Sequence, residues 1–171
     1  MSMEQSSSAG NGEPFVVSRV LDAPQAKVWK AWTEKEALET WWGPKGLTLS
    51  VAKLDLRPGG VFHYGMRAPD GHLMWGKFAY REVVPPQRIV FVVSFTDEQG
   101  TPIRHPFSST WPLEVLSSVH LELEGDRTKL TMSGIPINAT EEECKTFAGA
   151  HEGMRQGWAG TLEQLAAYLS K

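Results

Sequence analysis

One cysteine among 171 residues leaves no partner for an internal disulfide, and Cys144 stands in no metal-ligand spacing. Packing alone must hold this fold, and a reducing compartment suits it. No apolar run approaches the roughly 18 residues of a membrane span, and the opening Met-Ser-Met-Glu-Gln-Ser-Ser-Ser has neither the basic nor the apolar part of a signal peptide. The expectation is a cytoplasmic protein with no membrane partner. Positive charge is not in excess either: the net charge is -3 and the pI about 6.0, so no large basic surface is available for nucleic acid. Catalytic signatures are missing as well. No Ser/His/Asp or Cys/His order comes with supporting turn chemistry, and Gly59-Gly60 follow Pro58 as a turn, not as a phosphate cradle. In His151-Glu152-Gly153-Met154-Arg155 the second zinc-binding histidine is replaced by Arg155. Neither a metal nor a cofactor is expected.

The chain is long enough for one domain with a substantial core, and its 41% hydrophobic and 22% charged residues are ordinary for a globular protein. Residues 1–13 are Ser- and Gly-rich and read as a disordered tail, leaving 14–171 as the domain. Phe15 to Leu21 alternates as a first strand, and Pro24 opens a helix carrying Val28, Trp29 and Trp32. Thr33 and Glu36 offer a capping box for a second short helix with Ala37, Leu38 and Trp41. Strand patterns then recur over Leu47–Leu54, Val61–Arg67, Leu73–Val84, Ile89–Phe95, within Leu113–Glu124, and over Lys129–Ile135, separated by Gly and Pro turns. Short connections of this kind imply an antiparallel meander.

The last thirty residues are the most informative. Phe147, His151, Met154, Trp158, Leu162, Leu165 and Leu169 recur at steps of three and four, one apolar stripe of a helix that a Thr140/Glu143 capping box would start. Such a helix of roughly 30 residues would span about 45 Å. It is the one element left to cover a sheet buried on one face. The expected fold is therefore α+β: a curved antiparallel sheet of six to seven strands, two short helices, and a long C-terminal helix enclosing a cavity, the helix-grip arrangement.

Several local motifs carry a family resemblance. Trp41-Trp42-Gly43-Pro44, Asp55-Leu56-Arg57-Pro58-Gly59-Gly60, Asp70-Gly71, the run from Glu82 to Phe91, Thr128-Lys129-Leu130-Thr131, and Gly153-Met154 with Gly157-Trp158 resemble the heat-shock-protein-90 ATPase activator homologue family. That family sits in the START-like, or SRPBCC, superfamily with the birch-pollen-allergen fold. The resemblance spans about Phe15 to Leu169 and implies a deep hydrophobic cavity. Its superfamily includes lipid and hormone carriers, aromatic polyketide cyclases, toxin-sequestering proteins and a co-chaperone domain. The large N-terminal domain of the eukaryotic co-chaperone has no counterpart in this sequence.

Alternation places Phe62, Tyr64 and Met66 on one face of their strand, and likewise Met74, Phe78 and Tyr80, and Ile89, Phe91, Val93 and Phe95. These side chains either fill a core or line a pocket with Phe147, Met154 and Trp158 of the helix. His151 interrupts the helical stripe, either as a core histidine with a partner or as a ligand-orienting or proton-transferring group. Glu82 continues the Phe78 and Tyr80 face by alternation; inward it could serve His151 as acid or base, and otherwise it closes a strand end with Arg81 or Arg88. The loop Thr101–Pro112, with Phe107 and Trp111, is either a lid over the cavity or a loop pinned by its own contacts. Gly149, Gly153, Gly157 and Gly160 form a second helical stripe, which allows a bend or the approach of a second copy as a homodimer. The leading expectation is a protein that binds a small hydrophobic or aromatic molecule, with His151, Tyr64, Tyr80 and Glu82 as its orienting groups. A cyclase or dehydratase using His151 and a chaperone-associated binding module are the other two readings.

Overall fold

A computed structural model describes residues 14–42, 46–105 and 108–170, with the side chains of all of these except Val51 and Ala52. The expected tail 1–13 and the candidate Phe107 lie outside the described residues. In chain order the elements are β1 (Phe15–Leu21), α1 (Gln25–Thr33), α2 (Lys35–Trp41), β2 (Thr48–Leu54), β3 (Val61–Arg67), β4 (Leu73–Val84), β5 (Arg88–Thr96), β6 (Val115–Glu124), β7 (Arg127–Pro136), α3 (Glu141–Gly149) and α4 (His151–Leu169). Among the described residues the strands form one seven-stranded sheet in the order β1-β7-β6-β5-β4-β3-β2, antiparallel throughout. The helix-grip architecture expected from the sequence is the one observed.

Two β-bulges interrupt the register, one between Val51 and Lys53 of β2 and one between Tyr80 and Glu82 of β4. Each adds a residue to one strand, which bends the sheet and reverses the alternation beyond that point. Tyr80 lies opposite Phe91 on the concave face, but Glu82 lies opposite Val90, and Val83 opposite Ile89 takes the inward position instead. The placement of Glu82 with Phe78 and Tyr80 is thereby corrected. Its carboxylate pairs with Arg88 at the strand end, and both side chains are exposed by more than a third.

The helices cover the concave face unevenly. α1 buries Val28, Ala31 and Trp32, and α2 buries Ala37, Leu38 and Trp41. The Trp41 indole N–H donates to the Ala31 carbonyl at 2.8 Å, locking the two short helices together. The expected capping box at Thr33 does not form: the Thr33 hydroxyl donates back to the Trp29 carbonyl at 2.8 Å, and the N-cap of α2 is Glu34, which makes no side-chain cap.

At the other end the Thr140/Glu143 box does form, with the Thr140 N–H donating to Glu143 Oε1 at 2.9 Å and the Glu143 N–H to Thr140 Oγ1 at 3.1 Å. The single long helix expected to follow is divided. α3 stops at Gly149, and the Ala150 N–H donates to the Phe147 carbonyl at 3.1 Å, closing a tighter turn before α4 begins. Gly149 and Gly153, poor helix formers on either side, leave that point little reason to stay in register. α4 buries Thr161, Leu162, Leu165 and Leu169, all in its C-terminal half. Its first ten residues bury none.

Candidate functional site

The unburied half of α4 roofs a cavity of about 400 Å³. The floor comes from the middle of the sheet: Tyr64 and Met66 of β3, Met74 and Phe78 of β4, and Phe91, Val93 and Phe95 of β5. Val115, Ser117 and Met132 extend it across β6 and β7. Phe147 of α3 and Met154, Trp158 and Thr161 of α4 form the roof, while Phe15, Trp42 and Trp111 stand at its ends. Among the described residues no charged side chain lines it. Nor do three His, Cys, Asp or Glu side chains stand together as a metal would require.

Aromatic rings set the shape of the wall. Trp42 follows α2 and meets Phe78 edge-on at 5.1 Å between ring centroids and Trp158 at 5.2 Å, so it joins floor to roof. Phe78 stacks on Phe91 at 4.1 Å. Tyr64 faces Gly76 across the β3–β4 ladder and lays its ring over it. A β-carbon at Gly76 would stand 2.9 Å from the Tyr64 hydroxyl oxygen, so only glycine lets the ring lie there. On the convex face the neighbouring pair repeats the device in reverse, with Trp75 over Gly65 and beside His63 at 5.0 Å.

Polar groups are few. The Ser117 hydroxyl donates to the Val115 carbonyl at 3.4 Å, and that of Thr161 to the Gly157 carbonyl at 3.3 Å. Ser133 turns to the convex face, where it shares a 2.8 Å hydrogen bond with Ser118. The buried Trp42 indole N–H has no hydrogen-bond partner. It stands beside the Tyr64 hydroxyl, outside hydrogen-bond geometry but near enough to favour the phenolate slightly. Burial dominates, however, and pushes the Tyr64 phenol far above its ordinary value of 10.0. Tyr64 is a neutral donor at any physiological pH.

The described residues between β5 and β6 bring Trp111 and Pro112 to one end, and α3 holds them. Arg104 pairs with Glu143, the Thr146 hydroxyl donates to Thr110 at 2.9 Å, and Trp111 packs on Phe147 at 5.5 Å. His105 packs between Phe95 and Trp111, and its partial burial lowers its pKa from 6.5. Of the two loop readings, the described part of the segment is pinned, though to α3 and not merely to itself.

Of the site residues read from the sequence, Tyr64, Met66, Phe78, Phe91, Trp111, Phe147, Met154 and Trp158 line the cavity. Phe62 and Tyr80 do not: both are buried in the solid core, Phe62 completely. They belong to the core that Trp32, Leu38 and Trp41 of α1 and α2 share with Leu162, Leu165 and Leu169 of α4. His151 is also outside the cavity wall. As the first residue of α4 it packs between Phe15 and Phe147, at 5.6 and 5.2 Å, and its buried Nε2 has no hydrogen-bond partner. His151 thus lacks the partner a core histidine would have, Glu82 pairs with Arg88 at the far strand end, and neither is among the described residues that line the chamber. Phe15, Trp42 and Met132 also line the cavity, beyond the candidates the sequence patterns point to. Alternation places Phe15 and Met132 on inward faces, but Trp42 carried no periodic signal because α2 ends at Trp41.

Residues 22–170 match the family described as Activator of Hsp90 ATPase homolog 1-like protein. The fold superimposes on the solution NMR structure of a protein from Arthrobacter aurescens with a TM-score of 0.79 and 27% identity, covering 94% of this chain and 88% of that one. A crystal structure of a protein from Nitrosomonas europaea gives a TM-score of 0.73 at 25% identity, covering 92% and 94%. One from Chromobacterium violaceum gives 0.72 at 24%, covering 93% and 99%. No curated protein matches the chain.

Proposed function

The chain belongs to the Activator of Hsp90 ATPase homolog 1-like family, and from that premise we propose that it binds a small hydrophobic or aromatic molecule between α4 and the curved sheet. The observation that carries this reading is the cavity of about 400 Å³ walled by apolar and aromatic side chains without a charge. Natural cores are packed to crystal-like density, so a cavity of this size between helix and sheet supports a ligand-binding reading. Removing apolar ligand surface from water supplies about 25 cal/mol per Å² before the costs of binding are subtracted. A cytoplasmic location is part of the same reading, supported by the single cysteine. Among the described residues no helix is long and apolar enough to cross a membrane.

The test is titration of the protein with N-phenyl-1-naphthylamine, a neutral apolar dye that fluoresces when shielded from water. Saturable binding to one site is expected, and Val93→Trp, which fills the floor, should abolish it while the circular dichroism spectrum is kept. Dye binding that is unchanged in Val93→Trp would place the dye elsewhere and overturn the reading.

A further inference from the structure

Resting on the ligand-binding reading above, we propose that the cavity takes an uncharged, largely apolar molecule bearing one hydrogen-bond-acceptor oxygen, which the Tyr64 hydroxyl engages with the Trp42 indole N–H behind it. The wall itself dictates the first half of that description. A carboxylate or an ammonium would enter a chamber with no counter-charge among its described lining residues, and burying an unpaired charge is far costlier than burying a neutral polar group.

The second half follows from what the few polar groups have left to offer. Ser117 and Thr161 direct their hydroxyl protons to main-chain oxygens, Ser133 faces Ser118 on the convex side, and Ser94, between the inward Val93 and Phe95, takes the convex face opposite Lys77. Tyr64 is different. It is 4% exposed, its hydroxyl reaches over Gly76 into the middle of the floor, and beside it lies the Trp42 indole N–H, which favours the hydroxyl oxygen but completes no hydrogen bond. Both groups carry protons to give, and a buried donor left unpaired costs free energy that a bound acceptor recovers. An occupant made only of carbon and hydrogen would leave them unpaired. One whose oxygen sits over Tyr64 would not, and the rings of Trp42, Phe78 and Trp158 would enclose its apolar body.

Fluorene and 9-fluorenone make a matched pair of probes, nearly identical in shape and differing by one carbonyl. Their dissociation constants are measured by quenching of tryptophan fluorescence, each corrected for its own transfer from water to octanol. The native protein should prefer the ketone by about tenfold, the worth of one buried neutral hydrogen bond. Tyr64→Phe should remove that preference while leaving fluorene affinity within about threefold, and Trp42→Phe should reduce it in part. Trp42→Phe also keeps the proposal testable if Tyr64→Phe does not fold. Equal corrected affinities for the two probes in the native protein, or a ketone preference unaltered by both substitutions, would overturn the acceptor site while fluorene binding upholds the cavity. Failure of both probes to bind would overturn the two readings together.

Discussion

Phe62 and Phe95 stand on the same concave face, on β3 and β5, yet Phe62 is completely sealed and Phe95 looks into an open chamber. The residue types around them are alike: aromatic rings, methionines and branched aliphatics supply both surroundings. What differs is the cover. Phe62 shares its core with side chains of α1, α2 and the leucines of the C-terminal half of α4, while Phe95 lines the chamber bounded by the half of α4 that buries nothing. Solid core and chamber are thus two outcomes of one amphipathic sheet, decided by how much apolar volume the opposite layer brings. Hydrophobicity alone does not tell a filled region from a hollow one.

The comparison breaks if the two regions respond alike to truncation. Phe62→Ala in the sealed half should cost about 3–5 kcal/mol in a denaturant titration, because the surrounding rings cannot collapse into the space. Met154→Ala, which removes atoms already facing a void, should cost less than about 1 kcal/mol by the same measurement. Equal losses would show that the roof is packed as tightly as the core.

A second contrast concerns how the roof is anchored. Thr140→Ala removes the α3 cap and should lower stability by about 1 kcal/mol. Its partner Glu143 has a pKa held below 4.5, first by the Thr140 N–H and then by Arg104. A carboxylate with a depressed folded pKa contributes stability that is fully present above its unfolded value and is lost as pH falls through the folded one. The stability of the native protein should therefore decline as pH drops below 4.5, and Glu143→Gln should flatten that decline in a series of unfolding curves.

Smaller effects are expected where the structure shows little contact. A β-carbon at Gly153 would meet nothing within 4 Å, so Gly153→Ala should raise stability by about 0.5–1 kcal/mol through helix propensity alone. If two copies pair through the glycine stripe, the same substitution should instead lower the unfolding midpoint and make it depend on protein concentration. Glu82→Gln, at an exposed ion pair, should change stability by less than about 1 kcal/mol and leave dye binding untouched.

The architecture was legible because its signals are periodic. Alternation marks every strand, and steps of three and four mark α4, so topology followed from turn chemistry and short connections. The candidate site was legible only in part. Tyr64, Phe78, Phe91 and Trp158 were found because inward-facing aromatics are candidates for core and cavity alike, and for the same reason Phe62 and Tyr80 were included with them. Glu82 was misplaced because one bulge residue, invisible to a period-two pattern, reverses the faces beyond Tyr80. The division of the last helix at Ala150 escaped as well, since the apolar stripe runs unbroken through it.

Gly76 has a consequence for how such a chamber changes over generations. The Tyr64 ring occupies the place where any other residue at position 76 would put its first carbon. A lineage that replaces the glycine must also swing the tyrosine away or lose it, and a lineage that loses the tyrosine no longer needs the glycine. The two positions, facing each other on neighbouring strands, constrain one another, and a change at both together would mark a descendant whose chamber has a different shape.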